Sequence, residues 1–140
     1  MKKLFLFFAL IVLFVSFGLA SDSFAQNGPV MYFCERYDSD NGEVNISDRF
    51  TTGYLTVMVK CSYELGLRSV SIQFDKYNTS TGSFKYYKKF SYKVEPSMKY
   101  IYFSKNDESD LNFDTPGIYR VFLLDSNDKT VTSALVEIIR

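Results

Sequence analysis

Carboxylates, lysines, tyrosines and two cysteines are the residues that could do chemistry in this 140-residue chain, because it contains no histidine. The absence of histidine excludes Ser-His-Asp and Cys-His catalysis and most transition-metal sites. Two carboxylate pairs are close in sequence, Asp38 with Asp40 and Asp107 with Asp110. Such pairs can hydrolyse glycosides or bind calcium, but both lie in polar stretches typical of solvated turns. We therefore predict no catalytic residue, no cofactor and no metal site.

A run of lysines in residues 84–94 is a candidate contact surface. Apolar and aromatic side chains alternate there with Lys85, Tyr87, Lys89 and Lys93. Alternation along a β-strand places the two sets on opposite faces, so the pattern predicts one cationic face. That face could contact an anionic glycan, a lipid headgroup or an acidic protein. The alternative is a solubilising strand near a sheet edge, for which regularly spaced lysines are typical.

Aromatic side chains are abundant, with eleven tyrosines, fourteen phenylalanines and no tryptophan. Exposed rings, of which Tyr87 and Tyr100 are candidates, could stack on sugars. The alternative is that the aromatic residues fill the core of a small β domain. At least two exposed coplanar rings on one sheet face or loop rim would favour sugar binding.

The two cysteines, Cys34 and Cys61, allow two interpretations. In an oxidising compartment they could form a disulfide, which would close a loop of about 27 residues and stabilise the fold by roughly 3 kcal/mol. Alternatively, they are two small buried side chains on neighbouring strands. The distance between their Cα atoms decides between the two, and the sequence does not give it.

Residues 1–25 have the pattern of a signal peptide. Lys2 and Lys3 precede an uncharged apolar run over residues 4–20, and Ser-Phe-Ala at 23–25 predicts cleavage before Gln26. A second site precedes Ser21, and an uncleaved anchor is the alternative, since a spanning helix needs about 20 apolar residues. We expect a secreted or periplasmic protein without stable membrane insertion after cleavage.

Charge narrows the choice of partner. The chain has sixteen basic and sixteen acidic residues, and removal of Lys2, Lys3 and Asp22 with the signal peptide leaves fourteen and fifteen. Nucleic-acid binding needs a basic excess, which this domain lacks. The expected partner is a protein or a glycan.

Residues 26–140 have the length of one domain and alternate between apolar and polar residues in short segments separated by turn residues. In residues 54–63, Leu55, Val57, Val59 and Cys61 are predicted to face the core, and Thr56, Met58 and Lys60 to face outward. About seven strands at this spacing predict an all-β, antiparallel sandwich, with a closed barrel as the alternative. The predicted strands cover residues 30–37, 54–63, 69–77, 84–94, 98–104, 117–125 and 130–139, with a short return over 43–47.

Residues 115–121, Thr-Pro-Gly-Ile-Tyr-Arg-Val, resemble the P-G-x-Y-x-V start of the penultimate strand in many bacterial immunoglobulin-like and fibronectin-III-like domains. The resemblance implies that Tyr119 is a structural tyrosine corner whose hydroxyl binds a nearby backbone group. Residues 32–37 and 50–57 also look like segments of uncharacterised secreted bacterial β domains, which implies no activity. Because tryptophan is absent, the domain is not antibody-like in the strict sense.

The sequence thus predicts a non-enzymatic binding or accessory module that acts by surface contact, with an unidentified ligand. Two alternatives are a carbohydrate-binding module and a small inhibitor that inserts loops from one end of the sandwich into an enzyme cleft. Exposed coplanar rings would favour the first alternative, and ordered loops clustered at one end would favour the second.

Overall fold

The structure is a computed structural model that describes residues 28–104 and 111–140. The predicted signal peptide and the pair Asp107 and Asp110 lie outside these residues. The described residues are all-β and contain no helix, so no helix in them could cross a membrane. Their strands are β1 (Val30–Asp38), β2 (Gly42–Ser47), β3 (Arg49–Thr51), β4 (Gly53–Tyr54), β5 (Thr56–Lys60), β6 (Ser69–Asn78), β7 (Ser83–Lys93), β8 (Tyr100–Phe103), β9 (Asn112–Phe113), β10 (Gly117–Leu124) and β11 (Thr130–Ile139).

The strands form two main sheets. The first has four strands in the order β2-β1-β5-β8, the second has five in the order β3-β11-β10-β6-β7, and β4 pairs with β9. All pairs are antiparallel except β3 with β11, which corrects the prediction of a purely antiparallel fold. The chain leaves β2 at the edge of the first sheet and joins the second sheet beside β11, running in the same direction. Hydrogen bonds from Glu137 N to Asp48 O (2.7 Å) and from Thr52 N to Ile139 O (3.0 Å) extend this parallel contact.

One hydrophobic core takes side chains from both main sheets. Phe33 and Val57 belong to the four-stranded sheet, whereas Ile72, Phe74 and Val121 belong to the five-stranded sheet, and all five are buried. These residues are the inward members of alternating strands, which explains why the predicted core rows and the observed core agree. The core positions the outer faces of the two sheets, where the candidate surfaces lie.

The strand predicted over residues 54–63 is broken at Leu55 and its main part, β5, ends at Lys60. The predicted inward row is buried, but Met58 and Thr56, predicted to face outward, are also buried, at 0% and 3% exposure. β5 is an interior strand flanked by β1 and β8. Tyrosines on its neighbours cover its outer face, and this coverage is the reason that the prediction for Met58 is wrong.

The lysines predicted to share one face of β7 are divided in the structure. The pairing of β6 with β7 shifts by one residue at Tyr87, which is the extra residue of a β-bulge. The bulge inverts the alternation, so Lys89 and Lys93 lie on the outer face of the sheet and Lys85 lies on the other face. The structure therefore does not bring Lys85, Tyr87, Lys89 and Lys93 together on one cationic face.

The two cysteines are buried free thiols. Cys34 pairs with Thr56, five residues before Cys61. At about 3.3 Å per residue, this register separates the cysteines by roughly 16 Å along the strands. A disulfide requires Cα atoms within about 7 Å. The structure thus agrees with the second interpretation, in which the cysteines are two small buried side chains. Cys61 lies in the core, and Cys34 lies on the opposite face of the sheet.

Tyr119 has the geometry of a corner tyrosine. Its side chain is fully buried, and its hydroxyl donates a hydrogen bond of 2.7 Å to the carbonyl oxygen of Thr115, four residues earlier. Gly117 between them has a φ of 150°, and a Cβ there would lie 2.9 Å from Cε of Lys76. Residues with a side chain rarely adopt this φ, so glycine is favoured at this position. Burial raises the pKa of Tyr119 to about 12.

Candidate binding surface

The outer face of the four-stranded sheet carries a cluster of four tyrosines and one glutamate, which we call the tyrosine face. Its members come from three strands. β5 lies between β1 and β8, so the side chains of Tyr32, Met58 and Tyr102 form one row across the sheet, and those of Val30, Lys60 and Tyr100 form the adjacent row. The tyrosine face consists of Tyr32, Tyr37, Glu43, Tyr100 and Tyr102.

An irregularity between β1 and β2 brings Tyr37 to the same face as Tyr32. The two tyrosines are five positions apart in the chain, so a regular strand would place them on opposite faces. Asn45 in β2 has a left-handed backbone, with a φ of 55°, and its amide donates a hydrogen bond of 2.5 Å to Glu35. The regular pairing of β1 with β2 is interrupted at this point. Beyond it, the paired residues Tyr37 and Glu43 lie on the tyrosine face.

Glu43 is the acceptor around which the tyrosine hydroxyls are arranged. The hydroxyl of Tyr32 donates a hydrogen bond of 2.5 Å to Oε1 of Glu43, and Tyr100 is a second hydrogen-bond partner. These bonds from Tyr100 and Tyr32 lower the pKa of Glu43. Burial and the bond to Glu43 raise the pKa of Tyr100 to about 12 and also raise that of Tyr32. At neutral pH the site therefore holds an ionised carboxylate and protonated phenols.

Two rings of the tyrosine face lie parallel to each other. The centroids of Tyr37 and Tyr102 are 4.4 Å apart, with an interplanar angle of 15°, and Tyr100 is tilted against Tyr37 at 6.0 Å. Tyr102 is 50% exposed and Tyr100 is 37% exposed. The parallel rings are stacked on each other rather than placed side by side. Solvent therefore reaches the ring edges and the uncovered ring surface of the stacked pair.

A small buried layer lies under the tyrosine face. Met58 and Cys34 have no exposed surface, although both are on the outer side of the sheet. Burial raises the pKa of the Cys34 thiol. Met58 lies between Tyr32 and Tyr102 in its row, so the rings rest on an apolar floor. Because buried side chains pack closely, this floor limits the freedom of the rings above it.

Recesses border the tyrosine face on both sides. One is lined by Val30, Tyr32 and Lys60, at the start of β1. The other is a groove between β8 and the end of β7, and the side opposite β8 is lined by Tyr92, Lys93, Val94 and Met98. An extended ligand that crosses the strands would therefore meet the tyrosines between two depressions.

Of the residues that the sequence singled out, Tyr100 lies in this cluster and the others do not. The ring of Tyr87 packs against Tyr119 at 5.5 Å, and Lys89 pairs with Asp128. Asp38 accepts hydrogen bonds from the backbone N–H groups of Asp40 and Asn41, both at 2.9 Å, and these bonds lower its pKa. Asp38 and Asp40 therefore form an ordinary turn.

Sequence analysis missed Tyr32, Tyr37, Glu43 and Tyr102. Tyr32 and Tyr102 occupy outward positions of alternating strands, and a tyrosine at an outward position is the signal that could have identified them. Tyr37 and Glu43 carry no such signal, because the irregularity at Asn45 determines their face. Neither a protein-family model nor a curated protein sequence matches the chain.

Proposed function

We propose that this protein is an exported, non-enzymatic binding module of immunoglobulin-like β-sandwich type, and that it binds a carbohydrate on the tyrosine face. The observation that carries the proposal is the parallel pair of the half-buried Tyr37 and the exposed Tyr102 beside the ionised carboxylate of Glu43. It combines ring surface with hydrogen-bonding groups, as sites for sugars require.

The chemistry of the face matches that of a sugar. The C–H groups of a pyranose ring pack on aromatic surfaces such as Tyr102, and its hydroxyls need both donors and acceptors. A carboxylate has about four lone-pair sites, and hydrogen bonds from Tyr100, Tyr32 and the backbone N–H of Glu43 itself use three of them. The remaining site can accept a hydrogen bond from a sugar hydroxyl.

Three further observations support the proposal. The positively charged and apolar pattern of residues 1–25 supports export. The two sheets with a common core, and the bond of Tyr119 to Thr115 after the P-G-x-Y-x-V motif, support an immunoglobulin-like sandwich. The bonding of Glu43 by two phenols supports a binding role, because a paired surface carboxylate of lowered pKa is suited to accept hydrogen bonds rather than to donate a proton.

Binding to polysaccharides tests the proposal. The purified protein is incubated with insoluble cellulose, chitin, xylan and starch, and calorimetry then measures affinity for the matching oligosaccharide. We expect retention by at least one polymer and a dissociation constant about tenfold weaker for Tyr102→Ala, since ring stacking contributes roughly 1.4 kcal/mol or more. Circular dichroism verifies that each variant is folded.

Tyr86→Ala is the matched control, because Tyr86 is 66% exposed on the outer face of the other sheet. It should bind as tightly as the unsubstituted protein. Failure of all four polymers to retain the protein would contradict carbohydrate binding. If Tyr86→Ala and Tyr102→Ala weakened carbohydrate binding equally, the binding surface would not be the tyrosine face.

A further inference from the structure

In the described residues, the free edge of the four-stranded sheet differs from the other edges of the two main sheets. β8 pairs with β5 on one side and has no strand neighbour on the other in residues 28–104 and 111–140. Its residues, Tyr-Ile-Tyr-Phe, include no charge, proline or glycine. The other edge strands of the two main sheets, β2, β3 and β7, each contain a charged residue. Charges at an edge discourage pairing with another chain, so β8 lacks this protection.

The hydrogen-bond register shows which backbone groups of β8 face outward. The backbone N–H of Cys61 donates to the carbonyl of Lys99 at 2.7 Å, so these two residues form a hydrogen-bonded pair. Pairs in an antiparallel ladder alternate between hydrogen-bonded and non-hydrogen-bonded. Ile101 therefore bonds to β5, whereas the N–H and C=O groups of Tyr100 and Tyr102 point away from it. The free edge thus presents two donors and two acceptors.

We infer that β8 pairs with β8 of a second copy of this chain. In an antiparallel arrangement around a two-fold axis at Ile101, Tyr100 of each copy lies opposite Tyr102 of the other. Both such pairs are hydrogen-bonded pairs, so four backbone hydrogen bonds form and every outward group of Tyr100 and Tyr102 is satisfied. The two four-stranded sheets become one continuous eight-stranded sheet.

The side chains of this register favour a second copy as the occupant. On the outer face, the rings of Tyr100 and Tyr102 from different copies become direct cross-strand neighbours, a pairing that stabilises sheets. On the inner face, Ile101 meets its own equivalent beside the groove, whose other side is lined by Tyr92, Lys93, Val94 and Met98. The strand places no charge opposite a like charge, and the near-neutral domain provides little overall repulsion.

Dimerisation has a consequence beyond the proposed function. Cross-strand neighbours share one face of a sheet, so the tyrosine faces of the two copies join into one surface of twice the width. The inference does not depend on carbohydrate binding, because it rests on the backbone of β8, and it is tested without any ligand.

Sedimentation equilibrium up to millimolar concentration tests the inference, with Tyr102→Pro and Tyr102→Val as a matched pair. Proline removes the outward N–H of residue 102 but leaves the bonds of β8 to β5 intact, as tolerated on an edge strand. Valine removes the same ring and keeps the N–H. We expect a monomer–dimer equilibrium for the unsubstituted protein and for Tyr102→Val, and a monomer for Tyr102→Pro. A protein that is monomeric at every concentration, or a dimer that persists in Tyr102→Pro, would overturn the inference.

A cysteine pair tests the register without relying on proline. The double variant Tyr100→Cys with Tyr102→Cys places a cysteine opposite a cysteine at both positions, at a Cα separation of about 5.5 Å that suits a disulfide. Each single variant places its cysteine opposite a tyrosine. Under mild oxidation we expect a covalent dimer from the double variant and none from either single variant. Equal cross-linking of single and double variants would contradict the two-fold register.

Discussion

The two sheets expose surfaces of different character, although they share one core. The outer face of the five-stranded sheet carries ion pairs, including Arg49 with Glu137 at 2.6 Å and Arg120 with Asp75 at 3.3 Å. The outer face of the four-stranded sheet carries uncharged phenols around Glu43. On the first face these four charged groups pair with each other, whereas the second face gathers four tyrosines around one carboxylate.

The edges of the two sheets differ in the same way. β7 carries lysines and a bulge, two devices that discourage pairing with another chain. β8 has neither. The contrast indicates that contact with other molecules is restrained on the five-stranded sheet and permitted on the four-stranded sheet, which is why both of our proposals concern the latter.

The largest expected effect comes from the floor of the tyrosine face. Met58→Ala should lower the free energy of unfolding by about 2–4 kcal/mol, as for a buried core methionine, because rings cover it on the outer side. The comparison is Gln73→Ala, which alters the outer face of an interior strand in the other sheet and should cost no more than about 1 kcal/mol. Guanidinium denaturation at neutral pH measures both. Similar losses of unfolding free energy for the two variants would show that the outer face of the four-stranded sheet is no more buried than that of the five-stranded sheet.

Met58 also shows what sequence analysis could predict. The inward row of β5 follows from alternation within the strand, which is a local property. Burial of the outward Met58 depends on Tyr32 and Tyr102, which reach it only through the pairing of β1 and β8 with β5. Because these covering residues are distant in sequence, the pattern of β5 alone does not predict that Met58 is buried.

A smaller effect is expected within β7, where two adjacent lysines have different environments. Nζ of Lys88 lies 5.1–5.7 Å from the centroids of four aromatic rings and donates a hydrogen bond to the carbonyl of Asn112. Lys88→Ala should therefore cost about 1–2 kcal/mol. Lys89 forms an ion pair with the exposed Asp128, so Lys89→Ala should cost no more than about 0.5 kcal/mol.

Thermal and denaturant unfolding of the two variants measure this difference, and Lys88→Met separates the charge from the aliphatic stem. An intermediate loss is expected for Lys88→Met, since it keeps the packing of the stem and removes the contact of the ammonium with the rings. Equal losses for Lys88→Ala and Lys89→Ala would contradict the inward position of Lys88.

The bulge that creates this difference was not visible in the sequence. Residues 84–94 alternate on both sides of Tyr87, although Lys88 occupies a position of the aromatic row. The predicted outward face is correct for Lys89 and Lys93 beyond the bulge and wrong for Lys85 before it. The extra residue becomes apparent when β7 is paired with β6, because pairing positions are counted between two strands. Asn45 has the same role in the tyrosine face, where one left-handed residue changes the face on which Tyr37 and Glu43 lie.

The smallest expected effect is a loss of stability at alkaline pH that depends on Glu43. In the folded chain Tyr100 keeps its proton to about pH 12, whereas an unfolded chain releases it near pH 10. The folded state therefore binds more protons between about pH 10 and 12, and stability falls as pH rises through this interval. Tyr32 and Tyr119 contribute a fall over the same interval, because burial raises the pKa of Tyr32 as well and that of Tyr119 to about 12.

Glu43→Gln separates the contributions of Tyr100 and Tyr32, which both bond to Glu43, from that of Tyr119, which is remote from the tyrosine face and is packed against Phe113. Removal of the negative charge should lower the pKa of Tyr100 and that of Tyr32, although burial continues to raise both. The loss of unfolding free energy from below pH 10 to near pH 12 should consequently be smaller in Glu43→Gln than in the unsubstituted protein. Denaturant unfolding at the two pH values measures it, and the ultraviolet absorbance of phenolate follows the ionisation. Identical losses would mean that Glu43 does not hold the phenol of Tyr100 in its protonated form, and the hydrogen-bonded centre of the tyrosine face would then need to be assigned differently.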